Sequence, residues 1–414
     1  MNAKAVIITI LIVISGCKTK QDNKVKLNPL STTNSSSSTT EKDVIIKYGN
    51  TSVKDIINLI VPKDAFSKPL YFDELVDSYK MIPLETNPNC LIGHIDKILS
   101  ADFGYIIFDK QNKSIFQFDL TGKFLRRIGN NGNGPQEYND PYDVSLDESN
   151  KEIIVIDLAP RKILKYNYDG VLTENYSMYF LYTQLEKDGN NLIYNMGGSY
   201  NKNIPLLDKH RLSTFNAKHD TIHTYLPYSR NSNTFAVNRP LRKFNKDTYY
   251  YKYFTDTIWE VKSNYLKAFC HVDFNGNGWG SKIDNVKTSQ EMQELFKSHW
   301  FFNGDYTISD KYLFLRIFKS NRQCGIYYSR KSGNIKFGSG VTNTPDRFIS
   351  MAFYSNPITI DKENRFISFF EPVNILNNKK YIDDDDKTIS NSKLLNTLKE
   401  DDNPVLFIYS LKEY

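Results

Sequence analysis

Short apolar runs broken by polar turns fill the chain, and two of these stretches are copies of one another. Each copy reads as an apolar strand ending in Asp, a polar turn, a second strand, and an Asx- and Gly-containing turn into a third strand. At an offset of 48 residues Asp109 falls on Asp157, Ile115 on Ile163, Phe118 on Tyr166, Asp119 on Asn167, Gly122 on Gly170 and Phe124 on Leu172, without a gap. A repeat near that length, built from strands and turns, is a propeller blade. Gly122 and Gly170 close hairpin turns that want positive φ.

The pattern continues as six strand-rich blocks: Leu91 to Ile128, Pro141 to Tyr179, Leu181 to Pro227, Asn238 to Phe274, Thr307 to Gly338, and from Ala352 to the end. The third is degenerate and leaves seven open as the alternative count. The expected fold is all-β, a six-bladed propeller of four-stranded antiparallel blades. An open edge strand invites aggregation, so the ring must close, and Tyr79 to Leu84 is expected to pair into the blade formed by the last residues. Two insertions interrupt the blades. In the first, Thr288-Ser289-Gln290-Glu291 matches a capping box, and Met292, Leu295, Phe296 and His299 follow at helical spacing. The second, Asn374 to Asp402, carries Asp383-Asp384-Asp385-Asp386, a run that reads as a solvated loop, and a helix expected over Ser390 to Leu398.

The N-terminus breaks the β pattern. Ala5 to Ile14 is almost unbroken apolar sequence, too short to span a bilayer as a helix, and small residues follow it at once, as in a secretory signal. Ile14-Ser15-Gly16-Cys17 resembles the lipobox of bacterial lipoproteins, which marks Cys17 as the lipidated residue. Residues 18–43, rich in Ser, Thr, Asn and Lys, are expected to form a flexible tether, and residues 44–414 the folded body. Acyl chains on Cys17 would hold that body to the bacterial outer membrane without a spanning helix, with its periplasmic and cell-surface faces both open.

Composition narrows the function classes. The 28 Tyr and 26 Phe suit strands and sheet faces. The formal net charge of +6 is spread along the chain, with no basic stripe interleaved with aromatics of the kind that binds nucleic acid. Beyond Cys17 stand Cys90, Cys270 and Cys324, an odd number at wide spacing that fits buried thiols and no disulfide or zinc framework.

Candidate chemistry is sparse. Asp273-Phe274-Asn275-Gly276-Asn277-Gly278 matches the start of a calcium loop, with Asp284 at the twelfth position. The shorter Asp where Glu is normal, and the lack of a preceding helix, favour an Asn/Gly turn leaving the fourth blade, so Asp273, Asn275, Asn277 and Asp284 are weak metal candidates and no resident cofactor is expected. The Gly- and Asn-rich loop Gly129 to Tyr138 offers backbone amides for an anion nest, against the plainer reading of a crossover between blades. No nucleophile elbow, HExxH, P-loop or CxxC motif is present. His94 with Asp96, and His271 with Asp273, share strand faces, which favours surface hydrogen bonds over proton transfer.

Ile82-Pro83-Leu84-Glu85-Thr86 with Leu91-Ile92-Gly93, the turn Gly132 to Tyr138, the strand Asp256-Thr257-Ile258-Trp259, and the ending Asp401-Asp402-Asn403-Pro404-Val405-Leu406 together resemble the six-bladed β-propeller lipoproteins of Bacteroidota, a family similar to NHL-repeat and TolB-like propellers. The resemblance covers nearly all of the mature chain and rests on structural motifs, silent on chemistry. It implies an anchored envelope protein without an assigned activity. The leading expectation is a non-enzymatic module that binds an envelope protein, peptide or glycan. A hydrolase, lactonase or lyase with a metal in the central channel, and a structural envelope protein, are the alternatives.

Overall fold

The computed structural model describes residues 23–28, 42–198, 201–228, 239–280, 282–339, 341–342, 357–377 and 397–414. Within them, strands assemble six blades, each with a four-stranded antiparallel core. From the axis outward, blade 1 is Lys97–Ala101, Gly104–Asp109, Ser114–Phe118 and Phe124–Arg127. Blade 2 is Pro141–Asp147, Glu152–Asp157, Lys162–Asn167 and Leu172–Ser177. The degenerate third block is a complete blade, Gln184–Asp188, Asn191–Asn195, His210–Phe215 and Thr221–Pro227, so the count is six. Blade 4 is Leu241–Phe244, Asp247–Tyr251, Thr257–Val261 and Tyr265–Asp273. Blade 5 opens with Trp300–Ile308, earlier than the expected start at Thr307, and continues through Tyr312–Lys319, Arg322–Ser329 and Ile335–Gly338.

Blade 6 closes the ring. Its first two strands, Thr359–Ile360 and Phe366–Phe370, are followed by Val405–Leu411, which pairs antiparallel with Val76–Pro83 from the other end of the chain. Closure joins strands more than 300 residues apart, and an additional clasp fixes it. The buried Asn403 side chain donates from Nδ2 to the carbonyls of Glu85 and Cys90, both at 2.7 Å, and accepts from the Ile92 amide at 2.8 Å. The Asn403 amide in turn donates to Thr86 Oγ1 at 2.8 Å. Gly122, at φ 86°, lies against the same junction, where a Cβ would stand 2.2 Å from the Pro83 oxygen. Two sequence motifs far apart along the chain are thus the two halves of one latch.

The repeat aspartates explain themselves in the same way. Asp109, fully buried, accepts the amides of Gly93 (2.7 Å) and His94 (3.1 Å), and Asp157 accepts those of Asn139 and Asp140. Each carboxylate pins the segment that enters its own blade. Between blades the sheets are filled by aliphatic and aromatic layers: Ile106, Phe108 and Ile115 meet Val144, Val155 and Leu164, while Ile82, Leu406 and Ile408 meet Ile98, Ile107 and Phe116.

The N-terminal region differs from expectation. Asn23–Leu27, placed in the tether by its composition, is a strand paired with Lys42–Tyr48, and Leu27 is buried. The alternation Lys24-Val25-Lys26-Leu27 is a period-two pattern too short to outweigh its polar surroundings in the sequence, but one that suffices once an edge is available. Residues from Lys42 to Tyr71 do not belong to the ring itself. Lys42–Tyr48 runs parallel to the outer strand of blade 3, Asn50–Ser52 and Ile57–Ile60 run parallel to that of blade 4, and Leu70–Tyr71 pairs with Val341–Thr342 beside blade 5. This belt covers outer edges whose amides and carbonyls would otherwise be open to other chains.

The helical insertion forms as expected. Ser289–Ser298 is an α-helix with a complete capping box between Thr288 and Glu291. Leu295 is buried, and Phe296 meets Trp279 at 4.5 Å between ring centroids; Trp279 stacks on Phe254 of blade 4 at 4.8 Å and packs on Phe301 of blade 5. The helix therefore seals the rim between those blades. Cys17, most of the tether, the Asp383 to Asp386 run and nearly all of the helix expected over Ser390 to Leu398 lie outside the described residues.

Candidate functional site

The inner strands of all six blades line one axial channel, and they bring to it charged side chains that no linear motif groups together. Its free volume is about 110 Å³, room for a few water molecules and well below the several hundred Å³ of an ordinary small-molecule site. Most of its charges already neutralise each other. Lys97 of blade 1 bonds Asp143 of blade 2 at 2.9 Å, with both side chains nearly enclosed. Beside the channel, between blades 2 and 3, Lys187 pairs with Asp147, and Lys243 of blade 4 donates to the Lys187 carbonyl at 2.8 Å. At the end of the channel formed by the hairpins after the inner strands, Lys362 of blade 6 reaches both Asp102 and Glu148 at 3.1 Å, tying blades 6, 1 and 2. Glu186 of blade 3 is buried, and desolvation raises its carboxyl above the usual range, with Lys97 and Lys243 opposing the shift. Removing one member of an enclosed pair such as Lys97–Asp143 would cost about 3–5 kcal/mol, so this network is first of all a blade-to-blade fastening.

Two guanidinium groups are exceptions. Arg239 enters blade 4 at φ 58° and Arg242 lies within its inner strand, and both line the channel. Among the described residues the buried Arg239 Nε and Nη1 and the buried Arg242 Nε have no hydrogen-bond partner. Burial and the neighbouring Arg242 push Arg239 down to about 10, against the pull of Asp305, Asp143 and Asp96, so it remains cationic at neutral pH. Asp143 Oδ2 is likewise unpartnered. Each guanidinium is planar, cationic and multi-donor, the chemistry that recognises carboxylate or phosphate oxygens.

The residues singled out from the sequence fall elsewhere. Asp273 Oδ1 accepts the Asn275 amide at 2.8 Å, Asn275 Nδ2 donates to the Val61 carbonyl of the belt at 3.1 Å, and Asn277 Nδ2 donates to the Phe274 carbonyl at 3.2 Å. Asn275 and Gly276 have φ of 52° and 79°. These groups build a tight turn at the end of blade 4, and Asp284 lies in the short helix Lys282–Asn285 beyond it. Among the described residues no three His, Cys, Asp or Glu side chains gather where they could share a metal ion. In the loop from Gly129 to Tyr138, the Glu137 carboxylate accepts the Gly134 amide at 2.8 Å, while Tyr166 and Asn175 of blade 2 hold the Gln136 and Pro135 carbonyls. His94 and Asp96 are engaged separately, the His94 amide by Asp109 and the Asp96 carboxylate by the Lys110 amide; His271 Nδ1 meets Thr257 Oγ1 at 3.3 Å. The three cysteines are free and buried, and burial pushes the Cys270 and Cys324 thiols up to about 12.

The channel residues carried no recognisable signal in the sequence: Lys97 is a lone charge at the head of an apolar strand, and Glu186 sits in the mostly polar strand Gln184–Asp188. They are spread over five of the six blades, so only ring closure reveals the set.

The ring and its closing strand define a six-bladed propeller domain. Residues 56–410 match the family described as Domain of unknown function (DUF4934), and the chain belongs to that family. In structure it is similar to a Bacteroides fragilis protein inferred to be exported, with a TM-score of 0.66 and 18% identity over 86% of this chain and 100% of that one. A member of the DUF4221 family from Bacteroides vulgatus is more distant, with a TM-score of 0.47 and 10% identity over 82% of this chain and 99% of that one. None of the curated proteins matches the sequence. Among the described residues no helix is long and apolar enough to cross a membrane.

Proposed function

We propose that this chain is an outer-membrane lipoprotein, anchored through Cys17, whose propeller is a non-enzymatic binding module of the envelope, and that it takes an anionic group of a partner protein, peptide or glycan at the axial channel. The observation that carries the reading is the pair Arg239 and Arg242, cationic, side by side and short of hydrogen-bond partners, in a channel whose other charges are mostly spent on holding blades together. A channel of about 110 Å³ admits the tip of a partner and not a whole substrate, which favours recognition over turnover.

The test uses the full mature chain in detergent, with inorganic phosphate and a short peptide ending in consecutive Glu residues as probes. A saturable rise in melting temperature with either probe, lost in Arg239→Met/Arg242→Met, supports the reading. No shift with either, together with chelator-sensitive hydrolysis of a lactone or ester, would replace it by the enzymatic alternative. Globomycin-sensitive labelling by a fatty-acid analogue, abolished by Cys17→Ala, tests the anchor separately.

A further inference from the structure

The packing between blades 2 and 3 differs from that at the other junctions described above. Beside an apolar layer of Ile154, Ile156, Ile163, Leu185 and Phe215 it contains a cavity of about 620 Å³ on the flank of the ring, within the range of small-molecule sites. Its wall is aromatic: Phe180 lies 5.0 Å from Tyr194 and 5.6 Å from Tyr182, and Tyr182 lies 4.6 Å from Tyr194, all between ring centroids. Tyr176, from the outer strand of blade 2, and Tyr179, from the segment that connects the two blades, complete a group of four tyrosines around the space. Among the described residues none of the four hydroxyls has a hydrogen-bond partner, and none is fully enclosed, so each is open to a molecule in the cavity.

The charges around the cavity decide what kind of molecule fits. Lys165 is paired with Glu174 and lies within 4.0 Å of Glu152, Lys187 is paired with Asp147, and Lys42 stands 5.3 Å over the Phe215 ring. His219 stacks on Phe215 at 5.0 Å and its Nε2 meets the Asn190 carbonyl. Lys42 apart, a charged ligand would thus meet lysines and carboxylates already matched, whereas an aliphatic ligand would leave four phenols without partners, each at a cost. We infer that the cavity between blades 2 and 3 is a binding site for a neutral saccharide of one or two rings, whose hydroxyls bond Tyr176, Tyr179, Tyr182 and Tyr194 and whose apolar faces lie on Phe180 and the tyrosine rings. Burial lifts the Tyr182 and Tyr194 phenols well above their ordinary values, so they remain neutral donors throughout the physiological range. The site is independent of the axial arginines, and either can fail without the other.

The experiment is calorimetric titration of the full mature chain, in a detergent without a sugar headgroup, with maltose, cellobiose, lactose and glucose, and with glucuronate and hexanol as charged and aliphatic controls. Saturable binding of at least one neutral sugar at millimolar or lower concentration is expected. It should weaken at least fivefold in Tyr182→Phe/Tyr194→Phe, which keeps both rings, and stay unchanged in Arg239→Met. The inference is overturned if none of the four sugars binds by 20 mM, if binding survives the double Phe substitution, or if glucuronate or hexanol binds as well as the best sugar. Circular dichroism of the double variant confirms that the fold is retained.

Discussion

Asn403→Ala should loosen the whole ring, because one buried amide holds both ends of the closure. The substitution deletes three side-chain hydrogen bonds of 2.7–2.8 Å and leaves the Glu85 and Cys90 carbonyls and the Ile92 amide to find other partners. A typical intramolecular hydrogen bond contributes about 1 kcal/mol net, and a buried group left unpaired costs about 1–3 kcal/mol. A loss of about 3–5 kcal/mol follows, a large share of the 5–15 kcal/mol typical of a folded domain. Urea unfolding of the mature chain, followed by both tryptophan fluorescence and circular dichroism, measures it. Asn403→Asp adds a sign to the test. Its carboxylate would face two carbonyl oxygens at the Nδ2 position, so its folded-state pKa would rise above the unfolded value, and the variant should lose further stability as pH rises from 4 to 7. A loss below about 1 kcal/mol in Asn403→Ala would refute the view that the amide fastens the closure.

Three other outcomes are expected. Gly122→Ala should destabilise more than Gly333→Ala, since both have positive φ (86° and 77°) but only the first places its Cβ against backbone, 2.2 Å from the Pro83 oxygen, while the second meets nothing within 4 Å; left-handed strain alone is about 1–2 kcal/mol, and thermal melting of both variants separates the two terms. Asp256 is buried, and desolvation pushes its carboxyl up to about 7, so the folded state holds the proton longer than the unfolded chain and stability falls as pH rises from about 4 to 7. Asp256→Asn should remove that fall, gaining up to about 4 kcal/mol on the wild type at pH 8 relative to pH 4, as read by urea midpoints at both values. Thr288→Ala breaks the capping box and should cost about 1 kcal/mol, seen as faster amide exchange confined to Ser289–Ser298.

Local pattern determined much of this protein before any fold was known. The 48-residue repeat, the Gly turns and the alternating runs specify blades because strand period and hairpin chemistry are properties of a few adjacent residues. The capping box at Thr288 was legible for the same reason, and the closing strand at Tyr79 to Leu84 followed from the need to pair an open edge. What the sequence left open depends on distance. The belt from Lys42 to Tyr71, and the strand Asn23–Leu27 within the expected tether, are too short and polar to stand out until the outer edges of blades 3 to 5 offer them partners. The latch joining Asn403 to Glu85, Cys90 and Ile92, the channel that sets Arg239 beside Arg242, and the four tyrosines between blades 2 and 3 exist only after the ring closes. The latch draws its groups from both ends of the chain, whereas Arg239 with Arg242, and Tyr176, Tyr179 and Tyr182, are close in sequence; there only the folded ring decides that the first pair lines the channel and that the tyrosines meet Tyr194 around one cavity.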